Sequence, residues 1–217
     1  MFGPTITATL DKGKGPINLE LGVIKDEKEA ARRYTAWFAE TRVRFYLTLA
    51  YPFVLSAEED WIRKTCANPD EIHWAIYADG NHIGCISLMS IDRLHSKAEL
   101  GIVIGDRHYW GKGIGTVAEM LVVEWAFSNC VAGGLHKVTA RVLGGNEISK
   151  KALKTVGFID AGIHRQDHWA RGRWFDVWFG DILQAEWCAS RDDKMKSVGV
   201  TSYDLYPGCD DIELASG

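Results

Sequence analysis

The sequence predicts one domain of mixed α/β class, and three observations support that prediction. The chain has 217 residues, 47% of them hydrophobic and 25% charged, which is typical of a globular protein with a substantial core. Candidate strands and helices alternate along the chain. Residues 116–130 form a strongly apolar helical segment, which indicates a helix buried against a sheet.

The first half of the chain is predicted to hold two helices and four strands. Apolar side chains recur at helical spacing over residues 27–41. A second helix is predicted to begin at Ser56, an N-cap candidate that Glu59 follows in a capping-box pattern, and to run to about Cys66. The strand candidates are residues 17–24, 73–77, 82–91 and 98–104.

After the apolar helix, the pattern changes to strand, helix and two more strands. Residues 136–143 alternate apolar and polar side chains, as a half-buried strand does. A short helix is predicted over residues 146–156, with Asn146 as its N-cap and Gly157 just past its end. The last two strand candidates are residues 158–163 and 174–182.

Composition and local sequence indicate where the domain begins and ends, which partners it lacks and in which compartment it works. Residues 17–188 are interpreted as the domain, residues 1–16 as a loose lead-in, and residues 189–217 as a polar tail that is expected to be mobile. A net charge of −4 argues against nucleic acid as a partner. The five cysteines are scattered without metal-ligand spacing, so we expect reduced thiols in the cytoplasm and no metal. The sequence has no signal peptide and no apolar run of membrane-spanning length, so we expect no membrane partner.

The most informative stretch is residues 98–115, where a strand ends and a glycine-rich loop leads straight into a helix. Closely spaced glycines let the backbone curl with its N–H groups pointing inward, and the new helix adds a positive dipole end. Such a loop suits a diphosphate. The spacing of Gly111, Gly113 and Gly115 matches neither the Walker pattern nor the dinucleotide fingerprint. A glycine-rich turn without a ligand is the alternative.

The loop resembles the acetyl-CoA pyrophosphate loop of the GCN5-related N-acetyltransferase (GNAT) superfamily, Arg/Gln-x-x-Gly-x-Gly/Ala. Trp110 stands at the position of the Arg/Gln, while Gly113 and Gly115 match. The wider phrase resembles the RimJ/RimL-like branch, and the resemblance covers residues 17–188. Further features of that branch follow in the expected order: Tyr51-Pro52-Phe53, Glu58-Glu59-Asp60-Trp61, His136-Lys137-Val138, Asn146 to Gly157-Phe158, and residues 164–187.

The resemblance implies a GNAT fold, in which a central mixed, mostly antiparallel sheet flanked by helices splays between the two strands that hold acetyl-CoA. It implies acetyl-CoA as cosubstrate and main-chain contacts to the pantetheine arm from Ile102, Val103 and Ile104. Asn146 is a further candidate contact to the CoA arm, although its N-cap role alone would explain it. The pyrophosphate would be held by the loop amides of Trp110, Gly111, Lys112, Gly113, Ile114, Gly115 and Thr116.

Catalysis needs a base for the amine, a polarised thioester carbonyl and a proton for the leaving thiolate. Glu99 is the leading base, acting through a water, because a carboxylate in an apolar strand becomes more basic. The alternative is a structural glutamate satisfied by the backbone or an arginine. The carbonyl would be polarised by a backbone N–H of the same strand. Many relatives use a tyrosine as acid where this chain has Leu153, so Ser149, one turn earlier, is the candidate proton donor.

These features predict transfer of an acetyl group from acetyl-CoA to a primary amine in a ternary complex. The amine would be a protein N-terminus, a polyamine or another small amine, and a homodimer stays open. One alternative is a non-catalytic acyl-CoA-binding or sensor domain on the same fold. Another is a nucleotide-binding α/β protein. One wall of the acceptor cleft is expected at His164, His168, Trp169 and Trp174.

Overall fold

The computed structural model describes residues 1–47, 54–131 and 133–207, and they form one sheet with helices on both faces. The nine strands lie in the order β7-β8-β6-β5-β4-β3-β2-β1-β9. The strands are β1 Ile6–Asp11, β2 Pro16–Gly22, β3 Ile72–Ala78, β4 Asn81–Asp92, β5 Lys97–Ile104, β6 Lys137–Leu143, β7 Ile159–Ala170, β8 Arg173–Leu183 and β9 Val200–Asp204.

The described part of the chain also contains seven α-helices and one short 3₁₀ helix, Arg107–Tyr109, in the loop after β5. The helices are α1 Glu27–Ala39, α2 Thr41–Arg44, α3 Leu55–Ala67, α4 Ile114–Asn129, α5 Glu147–Val156, α6 Gln184–Cys188 and α7 Arg191–Ser197.

The pairing of β5 with β6 sets this sheet apart. Every other neighbouring pair is antiparallel, whereas β5 and β6 run parallel. Their pairing extends only over four rungs, Lys97–Leu100 against Lys137–Ala140, and ends there. The two strands therefore separate towards their C-terminal ends. The predicted fold class, a mixed and mostly antiparallel sheet with a splay between two strands, is confirmed.

The two faces of the sheet are covered differently. Helix α4 packs on one face and is buried on nearly all sides, with Val117, Leu121 and Phe127 each at most 3% exposed, which explains its apolar sequence. Helices α1 and α3 cover the other face, where Tyr34 and Ile62 anchor a second, smaller core. Side chains alternate along β5, so Ala98 and Leu100 face α4 while Glu99 and Val103 face the opposite side.

The ends of the chain differ from the sequence prediction. The lead-in is not loose, because residues 6–11 form β1, whose Ile6, Ala8 and Leu10 point into the main core. The expectation of a mobile tail is wrong for the described residues after 188, since α7 precedes β9 and β9 pairs with β1. The tail was misjudged because the partner of β9 lies almost 200 residues away, whereas β1 was missed although it forms a hairpin with the next strand, β2. Residues 208–217 lie outside the described part.

Two local predictions also need correction. Ser56 is not an N-cap, because α3 begins at Leu55 after the extended residue Val54 and has no side-chain cap. Strand β7 continues to Ala170, beyond the predicted end at residue 163, because it pairs with β8 down to the hairpin turn. The branch feature Tyr51-Pro52-Phe53 lies outside the described residues.

Candidate active site

The splay leaves one edge of β5 open beyond Leu100. Residues 101–104 still pair with β4 on one side but have no partner strand on the β6 side. Ile102 and Ile104 turn their side chains towards Gly115 at the start of α4, whereas Val103 packs against the α1 cluster. The main-chain groups of Ile102 and Val103 on this side therefore have no strand partner, and binding of an extended ligand to them stays a prediction.

The loop after β5 turns sharply into α4. Gly111 and Gly113 have φ values of +73° and +83°, in the left-handed region that glycine adopts without strain. Gly113 is the N-cap of α4, yet no side chain caps the helix, and the first helical hydrogen bond is from Val117 N–H to the Gly113 carbonyl. The amides of residues 114–116 therefore lack helical acceptors and stand at the positive end of the helix. This arrangement suits an anion.

Trp110 and Lys112, in the same loop, are each engaged by another group. Trp110 Nε1 donates to the carbonyl of Ile104 at 2.8 Å, so this indole occupies one of the main-chain groups expected to face the pantetheine arm. Lys112 places its ammonium 4.8 Å from the centre of the Tyr109 ring. Anion binding by this loop therefore depends on backbone groups rather than on Trp110 or Lys112.

Helix α5 begins across the gap, at the end of β6, and packs beside α4. Asn146 is its N-cap, as predicted, and its Oδ1 accepts from the Ser149 N–H at 3.3 Å. Ser149 is half-buried. Leu153 is only 4% exposed and belongs to the main core. The position where many relatives carry the tyrosine is thus filled by a packing residue.

Glu99 lies on the last rungs before the splay, on the face opposite α4. Its side chain is 22% exposed, and its Oε1 accepts from Arg141 Nε on β6 at 2.7 Å. The expected apolar surroundings are therefore wrong, because the neighbouring strand supplies a cation. Glu99 Oε2 has no hydrogen-bond partner among the described residues, so it is free to accept from a water.

The β7–β8 hairpin reaches across this face to the segment after α2. Arg171, beside the turn, donates to the carbonyl of Phe45 and stacks its guanidinium 3.8 Å from the centre of the Phe45 ring. Phe175 lies under the same guanidinium. This contact joins two segments separated by 126 residues.

The predicted aromatic wall is only partly assembled. The His164 ring packs on Phe179, 4.1 Å between centres, and Phe179 is paired with Arg141 across the strands. Trp169 and Trp174 pack on each other near the hairpin turn and are both more than half exposed. Among the described residues, His164 is thus linked to Arg141 only through Phe179, whereas the two tryptophans lie at the outer end of the hairpin.

A buried polar group under β4 was missed by sequence reasoning. Glu58 was treated as part of an exposed acidic run, but it is 8% exposed and burial raises the pKa of its carboxyl. Nearby, burial raises the pKa of Cys85 to about 12 and also raises the pKa of Tyr34. The signal in the sequence was spacing, since Glu58, Ile62 and Thr65 form one buried stripe of α3.

The described residues contain neither a membrane-spanning helix nor a cluster of metal ligands. No helix in that part of the chain is long and apolar enough to cross a membrane. No group of three or more His, Cys, Asp or Glu side chains there is arranged to hold a metal ion.

Comparison with known proteins identifies this arrangement. The family model described as an acetyltransferase (GNAT) domain matches residues 19–159, well over half of the chain. The chain belongs to the GNAT family. The predicted superfamily is confirmed, and with it the predicted enzyme class, an acetyl-CoA-dependent N-acetyltransferase.

Individual relatives support the same assignment. The putative ribosomal N-acetyltransferase YdaF of Bacillus subtilis (strain 168) is 31% identical over 128 residues, 59% of this chain and 67% of that protein. The spermidine N(1)-acetyltransferase of Vibrio cholerae is 28% identical over 110 residues, 51% of this chain and 61% of that enzyme. For several Bacillus relatives the match spans less than two thirds of their length, 57% and 59% in two cases.

Solved structures share the fold. Mycobacterium smegmatis RimJ, in complex with CoA-disulfide, superposes with a TM-score of 0.76 at 18% identity, covering 92% of this chain and 98% of that one. The Vibrio cholerae spermidine N-acetyltransferase, in complex with CoA and spermine, gives a TM-score of 0.69 at 21% identity and covers 79% and 98%.

Proposed function

We propose that this GNAT protein transfers the acetyl group of acetyl-CoA to a primary amine by direct attack in a ternary complex. The observation that carries the proposal is the open edge of β5, which leads from Glu99 to the uncapped first turn of α4. This edge joins a catalytic carboxylate to an anion site along one extended path. The length of the path suits a donor with a thioester at one end and a diphosphate at the other.

In this proposal acetyl-CoA is held mainly by backbone groups. Its pantetheine arm lies along residues 102–104, its diphosphate accepts hydrogen bonds from amides of residues 110–116, and Asn146 borders the arm from α5. The solved relatives that were crystallised with CoA support this choice of cosubstrate. The carbonyl of Ile104 bonds Trp110 and is not available to the arm.

Glu99 acts as the base through a water bound at its free Oε2. Arg141 holds the other oxygen and so fixes the carboxylate relative to the splay. The water takes a proton from the ammonium of the acceptor and passes it to Glu99. The neutral amine then attacks the thioester carbon and the C–N bond forms. The nitrogen loses its second proton to solvent, Glu99 returns the first proton to solvent, and the C–S bond breaks. Ser149 gives a proton to the departing thiolate and regains one from solvent.

The acceptor approaches on the face opposite α4, where Glu99, Arg141 and His164 lie. Arg141, half exposed, places a positive charge beside the base, which disfavours a second cationic group in the same place. A peptide N-terminus carries one cation, whereas spermidine carries three. A protein N-terminus is therefore the acceptor class we favour among the three predicted, in line with the name of the Bacillus subtilis relative.

The first test is release of free CoA, read with a thiol reagent, from acetyl-CoA plus an amine panel. The panel holds short peptides with free N-termini, spermidine and an aminoglycoside. We expect turnover with a peptide and a decrease of about 100-fold in kcat for Glu99→Gln. Ser149→Ala should lower kcat by about fivefold, since a thiolate leaves readily near neutral pH.

Asp181→Asn provides the matched control for Glu99→Gln. Asp181 is 21% exposed, faces the same side two strands away, and is ion-paired with Lys137. It should keep full activity. Equal losses in the two variants would show that Glu99 is structural. Binding of acetyl-CoA without turnover of any amine would favour the acyl-CoA-binding domain, and failure to bind acetyl-CoA would refute the proposal.

A further inference from the structure

The turn between β1 and β2 lies beside the glycine loop, far from it in sequence. This turn, Lys12-Gly13-Lys14-Gly15, is fixed at its base: Asp11 N–H donates to the Gly199 carbonyl at 2.8 Å, and the Asp11 side chain accepts from Gly13 N–H. Gly199 leads into β9, which pairs with β1. The turn is thus held by both ends of the sheet rather than hanging free.

Lys12 extends from this turn over Gly113. A Cβ atom at Gly113 would lie 2.9 Å from Lys12 Cε and closer still to its ammonium. Lys12 therefore occupies the space directly beside the N-cap of α4. Gly113 is required here twice, once for its positive φ and once because the Lys12 side chain fills the place of a side chain.

The position of this ammonium is electrostatically unfavourable without a ligand. The N-terminus of a helix carries a partial positive charge, which repels a cation. No hydrogen bond or ion pair with another described residue holds Lys12 there. A lysine side chain is flexible, and an exposed one ordinarily points its ammonium into water. An anion between the ammonium and the helix amides would turn this repulsion into attraction.

We propose that Lys12 is a phosphate ligand of the cosubstrate, contributed by the β1–β2 turn to the diphosphate of acetyl-CoA. The inference rests on the proposed function, because it assigns a new residue to the same site. It also explains how the loop manages without the Arg/Gln that Trp110 replaces. Trp110 and Lys112 are each engaged by another group, so the cation at the phosphates comes from a distant strand.

The test measures the dissociation constant of acetyl-CoA by calorimetry for the wild type, Lys12→Gln and Lys14→Gln. Lys14 is the matched control, because it lies in the same exposed turn and carries the same charge but has no contact with Gly113. We expect binding about tenfold weaker for Lys12→Gln and within about twofold of the wild type for Lys14→Gln. Lys12→Arg should restore most of the affinity.

A second ligand separates a phosphate contact from a general effect on the fold. S-acetylpantetheine lacks the diphosphate, so its affinity, titrated into the millimolar range, should be the same in wild type and Lys12→Gln. Equal weakening of both ligands would overturn the inference, as would equal behaviour of the Lys12 and Lys14 variants. In both cases wild-type binding would leave the proposed function standing. A wild type that does not bind acetyl-CoA would refute both.

Discussion

The glycine loop and the acceptor side of the site are built in opposite ways. The loop, residues 105–116, is one continuous segment that offers backbone amides, and Lys12 reaches its N-cap glycine from a distant turn. The proposed acceptor side is assembled from pairs of side chains or segments that lie far apart in sequence, Glu99 with Arg141 and Phe45 with Arg171. Recognition through the backbone tolerates a side-chain change such as Trp110. Recognition through side chains is lost when either member of a contacting pair is replaced.

The largest effect should come from the loop, where Gly113→Asp is expected to weaken acetyl-CoA binding by about a thousandfold, or about 4 kcal/mol. The substitution forces a β-carbon into a left-handed backbone, displaces Lys12 and places an anion where the diphosphate would lie. Calorimetric titration with acetyl-CoA measures it.

Gly133→Asp is the control for backbone strain. Gly133 has φ +84°, almost the value at Gly113, but lies after α4 with open space around it. It should bind acetyl-CoA like the wild type. If the two variants lose affinity equally, the loss at Gly113 comes from strain in the fold, and the contrast between the loop and the acceptor side fails.

The second prediction concerns Glu119 in α4, the helix that carries the loop. It is 1% exposed, its Oε2 has no hydrogen-bond partner among the described residues, and burial raises its pKa to about 8. The folded protein therefore keeps the carboxyl protonated at neutral pH, while the unfolded chain ionises it above its ordinary value of 4.5. The protonated Glu119 carboxyl therefore contributes fully to the free energy of unfolding below pH 4.5, and this contribution is lost as the pH rises to about 8.

Glu119→Gln should remove this loss. Between the ordinary pKa of 4.5 and pH 7, the wild type loses roughly 3 kcal/mol of stability, at 1.36 kcal/mol per pH unit. The variant avoids this loss, but its buried amide has no partner, which offsets part of the gain. We expect a net gain of about 1–2 kcal/mol in the free energy of unfolding at pH 7 and none at pH 5, measured by urea titration.

Glu124→Gln, in the same helix, provides the opposite case. Glu124 is also buried, but it accepts from Trp187 Nε1 at 2.5 Å and from Arg191 at 2.8 Å. Its substitution should destabilise the protein by about 1–3 kcal/mol, because charge-assisted hydrogen bonds are lost. If Glu119→Gln raised the free energy of unfolding by the same amount at pH 5 and at pH 7, the raised pKa of Glu119 would be contradicted.

The difference between a continuous loop and residues brought together from distant segments also explains which features could be predicted from the sequence. The loop, the helix after it and the N-cap at Asn146 depend on neighbours within a few residues, and all three appear as expected. The pairing of Glu99 with Arg141 depends on which strand lies beside β5, which composition and spacing do not state. Strand β9 was missed for the same reason, since its partner β1 lies at the other end of the chain. Strand β1 was missed although it also pairs with the next strand, β2, across a short turn.

Lys12 and Glu58 show two further limits. Lys12 was placed in a loose lead-in, and nothing local connects it with a loop 100 residues later. Glu58 stood in an acidic run whose average character is exposed, although its own position on the helix is buried. In both cases the informative quantity was a single contact in three dimensions. Fold class follows from many weak local signals, whereas a site residue depends on one such contact.

The smallest effect should come from the wall of the acceptor side. Arg171→Ala removes the hydrogen bond to the Phe45 carbonyl and the stacking on its ring, so the hairpin and the segment after α2 are no longer joined. The KM for the acceptor amine should rise about tenfold, near 1.4 kcal/mol, while the affinity for acetyl-CoA stays unchanged.

Arg173→Ala is the matched control, because Arg173 stacks on Phe175 at 4.4 Å from the opposite side of the turn and makes no contact with Phe45 among the described residues. It should leave KM within about twofold. A change in acetyl-CoA affinity on replacing Arg171 would show that the two halves of the site are coupled, and the acceptor side would then not be an independent set of side-chain pairs.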